Sequence, residues 1–187
     1  MGSSSVAVAY DGKFQIGPQI GVSRTKATGD VYGHDTAVSG GLVVRYTVPM
    51  SDSGLFVGFQ AGVTRESASG GSSEGGVSVE LDIDWSMDFM PMVGYRMGKT
   101  SLSVAAGFSN LYGDLEFDVA GVSFSDSNWH AGWKIAPGID YQISENMALF
   151  GQAYYANYGS DSYNIAGASV NFDLETYGTQ FGVLFSF

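Results

Sequence analysis

Apolar side chains alternate with small or polar ones over eight stretches of the chain, at about 14–25, 37–48, 55–66, 79–97, 100–119, 122–141, 147–158 and 170–187. A period of two belongs to strands whose two faces meet different surroundings. The last stretch is the clearest. Tyr177, Thr179, Phe181, Val183, Phe185 and Phe187 fall on one side, and Gly178, Gln180, Gly182 and Ser186 on the other, with Leu184 the exception. Val170, Phe172 and Leu174 sit in the opposite phase, which predicts a bend near Glu175 and Thr176.

The connections alternate as well. Pro49 to Gly54, Gly98-Lys99 and Gln142 to Asn146 carry turn residues, whereas Lys26 to Thr36, Ser67 to Ser78 and Asn157 to Ser169 are longer and rich in Gly, Ser and Asp. An even number of strands with short links at one end and long links at the other predicts an all-β, eight-stranded antiparallel up-and-down barrel. Side-chain size then decides which face is inside. Gly58, Gly62, Gly94, Gly107, Gly132, Gly138 and Gly182 share the polar face, and Leu42, Val44, Tyr46, Val57, Phe59, Phe89, Val93, Tyr95, Trp129, Trp133 and Ile135 the other. A barrel of this size has room inside only for packed side chains, so the bulky set faces outward, into lipid. Pro18, Pro91 and Pro137 fall inside the predicted strands, where each removes a ladder donor, and are expected at bulges or strand ends.

The stretches 79–97 and 100–119 exceed the roughly 9–11 residues a strand needs to cross a bilayer. A Gly98-Lys99 turn pairs Met97 with Thr100, Tyr95 with Leu102 and Phe89 with Phe108. The apolar set of the second stretch then changes phase, and a bulge between Asn110 and Gly113 restores agreement. That register sets Asp84 opposite Asp114, Asp82 opposite Glu116 and Glu80 opposite Asp118. Like charges face to face need compensation, which makes these six carboxylates a candidate divalent-cation site, for instance for Ca2+, alongside the plainer reading of a solvated acidic face. No other cofactor is expected. With Ala120-Gly121 at the next tip, Phe124 pairs with Phe117, Trp129 with Tyr112 and Trp133 with Phe108, leaving an apolar stripe above the membrane.

Length and charge narrow this further. The 187 residues are expected to divide into a leader and N-terminal segment, 1–13, read as replacing a signal peptide because it has neither a basic nor an apolar stretch, and a single barrel domain, 14–187. There are no cysteines, which removes disulfide and thiolate-metal chemistry. Only 14% of residues are charged, and the net charge of −11 leaves no basic surface for nucleic acid.

A final strand ending in an aromatic, on a chain of this length and loop pattern, resembles the small eight-stranded outer-membrane barrels of Gram-negative bacteria, a group with opacity- and attachment-type surface proteins and narrow porin-like barrels. The resemblance implies an integral outer-membrane location, short periplasmic turns and long extracellular loops. It also implies contact with outer-membrane lipid and lipopolysaccharide, and an assembly signal for the barrel-insertion machinery in Tyr177, Phe181, Val183, Phe185 and Phe187. The acidic loops depart from the basic loops of attachment proteins that bind sulfated sugars.

Inward-phase charges are Arg45, Asp88, Arg96, His130, Lys134 and Asp140. A narrow lumen requires such charges to be paired. Asp88 and Lys134 fall at similar heights, and Arg96 and Asp140 both lie near the periplasmic turns. Catalysis finds little support: small lipid A deacylases carry His-x-Ser, and here His130 is followed by Ala131 and Gly132. The expected role is structural or surface-interacting, through extracellular loops, a projecting hairpin and an extracellular protein partner, above a plugged lumen. The alternatives are a narrow passive channel for small or apolar solutes and, third, a lipid-modifying enzyme using His130.

Overall fold

The computed structural model describes residues 12–29, 33–50, 52–74, 77–119, 122–165 and 168–187, with the side chains nearest the outer hairpin tips outside that description. Eight strands, β1 (Lys13–Gly29), β2 (Gly33–Pro49), β3 (Leu55–Glu74), β4 (Val77–Met97), β5 (Thr100–Val119), β6 (Val122–Ser144), β7 (Met147–Ile165) and β8 (Ala168–Ser186), close in sequence order into one antiparallel barrel. The segments expected as long loops are largely strand. Gly, Ser and Asp are poor strand formers alone, but once the flanking residues are in register each added pair costs little chain entropy and satisfies its own backbone.

A hydrogen-bonded row followed round the wall from Lys13 passes through Thr47, Gly58, Met92 and Ala105 and returns to β1 at Ser23. That offset tilts the strands by about 40°. It also sets levels. Phe14, Tyr46, Tyr95, Tyr141 and Phe185, all exposed, form an aromatic ring at the inner end. Trp85, Trp133 and Tyr177 form one about 22 Å higher by strand rise and tilt, close to the ~25 Å apolar band of a membrane barrel. Between the rings the outward side chains are apolar apart from Thr179, among them Ile20, Leu42, Val63, Phe89, Val104 and Phe181.

Three register expectations change. First, Pro18, Pro91 and Pro137 are neither at bulges nor at strand ends. Each pairs with one neighbouring strand, opposite Leu42, Phe59 and Val104, and falls in a gap of the other ladder that the register crosses unshifted. Second, the bulge of the long hairpin lies on β4, at Asp84, instead of on β5. The pairs are therefore Leu81 with Leu115, Val79 with Phe117, Asp82 with Asp114 and Glu80 with Glu116, while Asp118 faces Ser78. Third, β8 keeps its alternation through Thr176, and the irregularity lies across the ladder, between Asn157 and Ser160 of β7, where Gly159 adopts a φ of 75°. The β5–β6 register, including Trp129 with Tyr112 and Phe124 with Phe117, is as the sequence predicts.

Above the outer ring the wall divides. The β2–β3 ladder runs up to Val38 and Ser67, and the β6–β7 ladder to Trp133 and Asn157, whereas the β3–β4, β4–β5, β5–β6, β7–β8 and β1–β2 ladders continue toward their tips. The projecting end is thus two groups of four strands, β3–β6 and β7–β2.

Candidate functional site: the lumen

The lumen is filled in layers. At the inner mouth a cavity of about 310 Å³ is lined by Lys13, Thr47, Leu55, Phe56, Arg96 and Phe187. A second, smaller cavity of about 30 Å³ shares Lys13, Thr47, Phe56 and Arg96 with the first and is bounded by Arg45, Met92 and Asp140. Arg96, expected to share the sealed network with Asp140, is exposed at this mouth with its guanidinium 5.9 Å from the Phe56 ring. It stands two residues from the Gly98-Lys99 turn, below the level at which the lumen closes.

Asp140 pairs with Arg45 instead, at 2.8 Å. Arg45 is 1% exposed. Its Nε donates to Gln60 Oε1 at 2.6 Å and its Nη2 to Gln152 Oε1 at 3.4 Å, so one guanidinium joins β2, β3, β6 and β7 across the bore. Gln60 also donates to Gln152, and Gln152 to Gln180 at 2.6 Å, which extends the network to β8. Phe150 closes the layer from beneath, its ring 4.7 Å from the Arg45 guanidinium. Gly182 leaves room for that ring, since a Cβ there would land on it and on the Pro18 carbonyl. Leu184, the exception to the terminal alternation, is inward and packs with Val43, Ala148 and Phe150.

The second polar layer centres on Lys134, whose Nζ donates to Asp88 Oδ2 at 2.6 Å with both side chains 3% exposed. Ser109 donates to the other oxygen of Asp88 at 2.7 Å and contacts the Tyr158 hydroxyl at 3.1 Å. The Lys134 ammonium also lies 4.1 Å from the Tyr154 ring centroid. Nearby, Ser23 donates to Glu66 Oε2 at 2.9 Å, and Gln19 donates to Thr64. Buried charges are tolerable only when paired and hydrogen-bonded, and both ion pairs meet that condition. Above this layer Ala37, Leu111, Ala156, Tyr158 and Leu174 pack together beside the buried hydroxyl pair of Thr25 and Thr176, 2.9 Å apart. His130, opposite Leu111 on β6, is buried at this height.

The sequence reading missed Glu66 and the glutamines at 15, 19, 60, 152 and 180, all buried. Strand phase places each of them inward, so the signal was available. Of the six candidate cation ligands, Asp84 alone has a described side chain; it is half-buried at the β4 bulge, and the other five lie outside the described side chains. Among the described residues no three ligating side chains cluster. In the terminal strand Tyr177, Phe181 and Phe185 are exposed outward and Val183 is half-buried beside them. Phe187 is 82% exposed, and its N–H donates to the Phe14 carbonyl.

A family model described as outer membrane protein beta-barrel domain matches residues 1–187. Among solved structures the chain is similar to Ail, the attachment invasion locus protein of Yersinia pestis, at 15% identity over 92% of this chain and 98% of that one, with a TM-score of 0.52. It is similar to the outer membrane protein OprG from Pseudomonas aeruginosa at 12% identity, covering 95% and 97%, with a TM-score of 0.51. It is also similar to the outer membrane protease OmpT from Escherichia coli at 8% identity, covering 98% and 100%, with a TM-score of 0.50. Likeness at these identities shows the fold alone. No curated protein matches in sequence.

Proposed function

The chain belongs to the outer membrane protein beta-barrel domain family, an integral protein of the bacterial outer membrane, and from that premise we propose that it is a plugged structural barrel presenting its projecting strands as an interaction surface. The observation that carries this reading is the pair of side-chain layers spanning the lumen, above all the Arg45 guanidinium bound to acceptors on three other strands. A wall held together from within resists collapse, and a bore filled at two levels offers ions no open water column. On this reading the outward terminal aromatics serve assembly and the outer ends serve contact with an extracellular protein.

The alternative, a narrow passive channel, draws on the inner-mouth cavity and the smaller one beside Asp140. Planar-bilayer recording separates the two. The parent protein is expected to give no unitary steps, and the double variant Arg45→Ser, Asp140→Ser to give more leak. Steady unitary conductance from the parent would replace the plugged barrel by the channel. A lipid-modifying role through His130 predicts that His130→Ala changes lipid A composition in cells making the protein; unchanged lipid A removes it.

A further inference from the structure

We propose that the outward face of β1–β3 holds the phosphorylated headgroup of one outer-leaflet lipid A through Arg24, Lys26 and Arg65.

By position along the strands, the outer half of the barrel carries fifteen of the nineteen acidic residues and four of the eight basic ones. One of the four, Lys134, is spent on Asp88 inside the lumen. The remaining three all face outward, and all lie on β1 and β3. Arg24 and Lys26 share the phase of exposed Ile20 and Val22, and Arg65 that of exposed Val63, while Ser23, Thr25, Thr64 and Glu66 between them are buried inward. Anionic headgroups at this level therefore meet three cations on one side of the wall, with Glu175 of β8 as the ladder partner of Lys26, and a carboxylate-rich chain on the others.

The level is that of lipid phosphates. Arg65 lies 5.8 Å from the centroid of Trp85 and Lys26 5.3 Å from that of Tyr177, both members of the outer aromatic ring. Strand rise and spacing put the Cα atoms of Arg24 and Arg65 roughly 15 Å apart along the wall, with Val38 of β2 between. Two long basic side chains at that separation suit a disaccharide bearing a phosphate at each end. Beneath them Ile20, Val22, Leu42 and Val63 are exposed and apolar, a wall for acyl chains.

The cations are available. Among the described residues none of the three has a carboxylate within ion-pair distance, and Arg24 Nε is buried with no hydrogen-bond partner. The Arg24 guanidinium is thus not tied to the wall by its Nε and can turn toward a phosphate oxygen.

The test uses the full chain in detergent micelles, titrated with bisphosphorylated lipid A, with the same lipid stripped of phosphate, and with inorganic phosphate. Tryptophan emission follows binding, native mass spectrometry counts bound lipid, and heat-modifiable gel mobility verifies folding. Bisphosphorylated lipid A should bind about tenfold more tightly than the stripped lipid. Arg24→Gln, Lys26→Gln, Arg65→Gln together should erase that advantage, while Lys99→Gln in the inner turn keeps it. If the triple variant does not fold, Arg24→Gln and Arg65→Gln singly carry the test, each with an expected loss of about threefold. The assignment falls if the folded basic-residue variants retain the full preference, if removing the phosphates changes nothing, or if inorganic phosphate saturates the site at the lipid's concentration.

Discussion

The lipid-embedded belt and the projecting end are parts of the same eight strands, and their outward faces differ in polarity. In the belt Phe89, Phe108 and Phe181 point outward while Arg45, Lys134, Asp88 and five glutamines are buried inside. Above Trp133 the inward set gains Leu111, Tyr158 and Leu174 beside the polar Thr25, His130 and Thr176, and polar outward positions such as Thr36, Ser67 and Asp173 are exposed. The backbone period is unchanged through β5 and β8; what changes is the solvent outside the wall. Lipid rewards apolar groups outside and leaves polar ones to satisfy each other within, whereas water accepts polar groups outside and favours turning apolar ones such as Leu111 and Leu174 inward. A phase reversal along a barrel strand can therefore mark the membrane surface instead of a bend.

The comparison breaks most visibly if the belt's interior is wet. Lys134→Met leaves Asp88 buried without its cation and beside Glu66, and should cost about 3–5 kcal/mol in urea unfolding from lipid vesicles. Adding Asp88→Asn should recover most of that. A loss below about 1 kcal/mol for the single change would mean the pair is hydrated, since exposed pairs are worth no more. In the projecting end the matching test is apolar. Leu174→Ala opens a gap against Leu111 and Tyr158 and should cost about 3 kcal/mol, felt locally. Hydrogen exchange should quicken above Trp133 and Asn157, where two ladders have already ended, and stay unchanged in the belt. Gly182→Ala tests the belt's packing. Its Cβ would land on the Pro18 carbonyl and the Phe150 ring, for an expected loss of about 2 kcal/mol in the same vesicle unfolding assay.

Most of the wall is legible in the sequence because alternation and turn chemistry are local. The Gly98-Lys99 turn fixes Met97 against Thr100, and everything through Phe89 and Phe108 follows by counting. The Asp88–Lys134 contact is within reach of the same counting, because only β5, with Gly107 and Ser109, lies between. Arg45 with Asp140 is not. Their meeting depends on the tilt of the closed barrel and on a side chain long enough to cross the bore, neither of which is local. The glutamines escape notice for another reason: a neutral amide inside a lumen raises no charge to be balanced, yet those at 60, 152 and 180 carry much of the network. The outer strand ends were concealed by their composition, since Gly, Ser and Asp between Ser67 and Ser78 read as loop until the partner strand is in place.

The smallest expected effect concerns the prolines, and it sets the belt against its own watered inner rim. Once the barrel's tilt is allowed for, Pro18, Pro91 and Pro137 fall at one level near the middle of the apolar belt, all with exposed outward rings. Each interrupts a different ladder, β8–β1, β4–β5 and β6–β7. Water could satisfy the acceptor facing a missing donor; lipid cannot, so the same substitution should matter in the belt and not at the inner turn. Pro91→Val supplies an N–H and a side chain suited to a strand, and should stabilise the barrel by up to about 1 kcal/mol, the net worth of one hydrogen bond. Pro49→Val, at the watered inner end of β2, should leave stability unchanged. Exchange at the Gly107 amide, beside the gap, should slow in the first variant only. If Pro91→Val instead destabilises, the close approach of the Pro91 ring to Gly107 is a packing contact that outweighs the missing bond, and the belt is held by its side chains more than by its ladder.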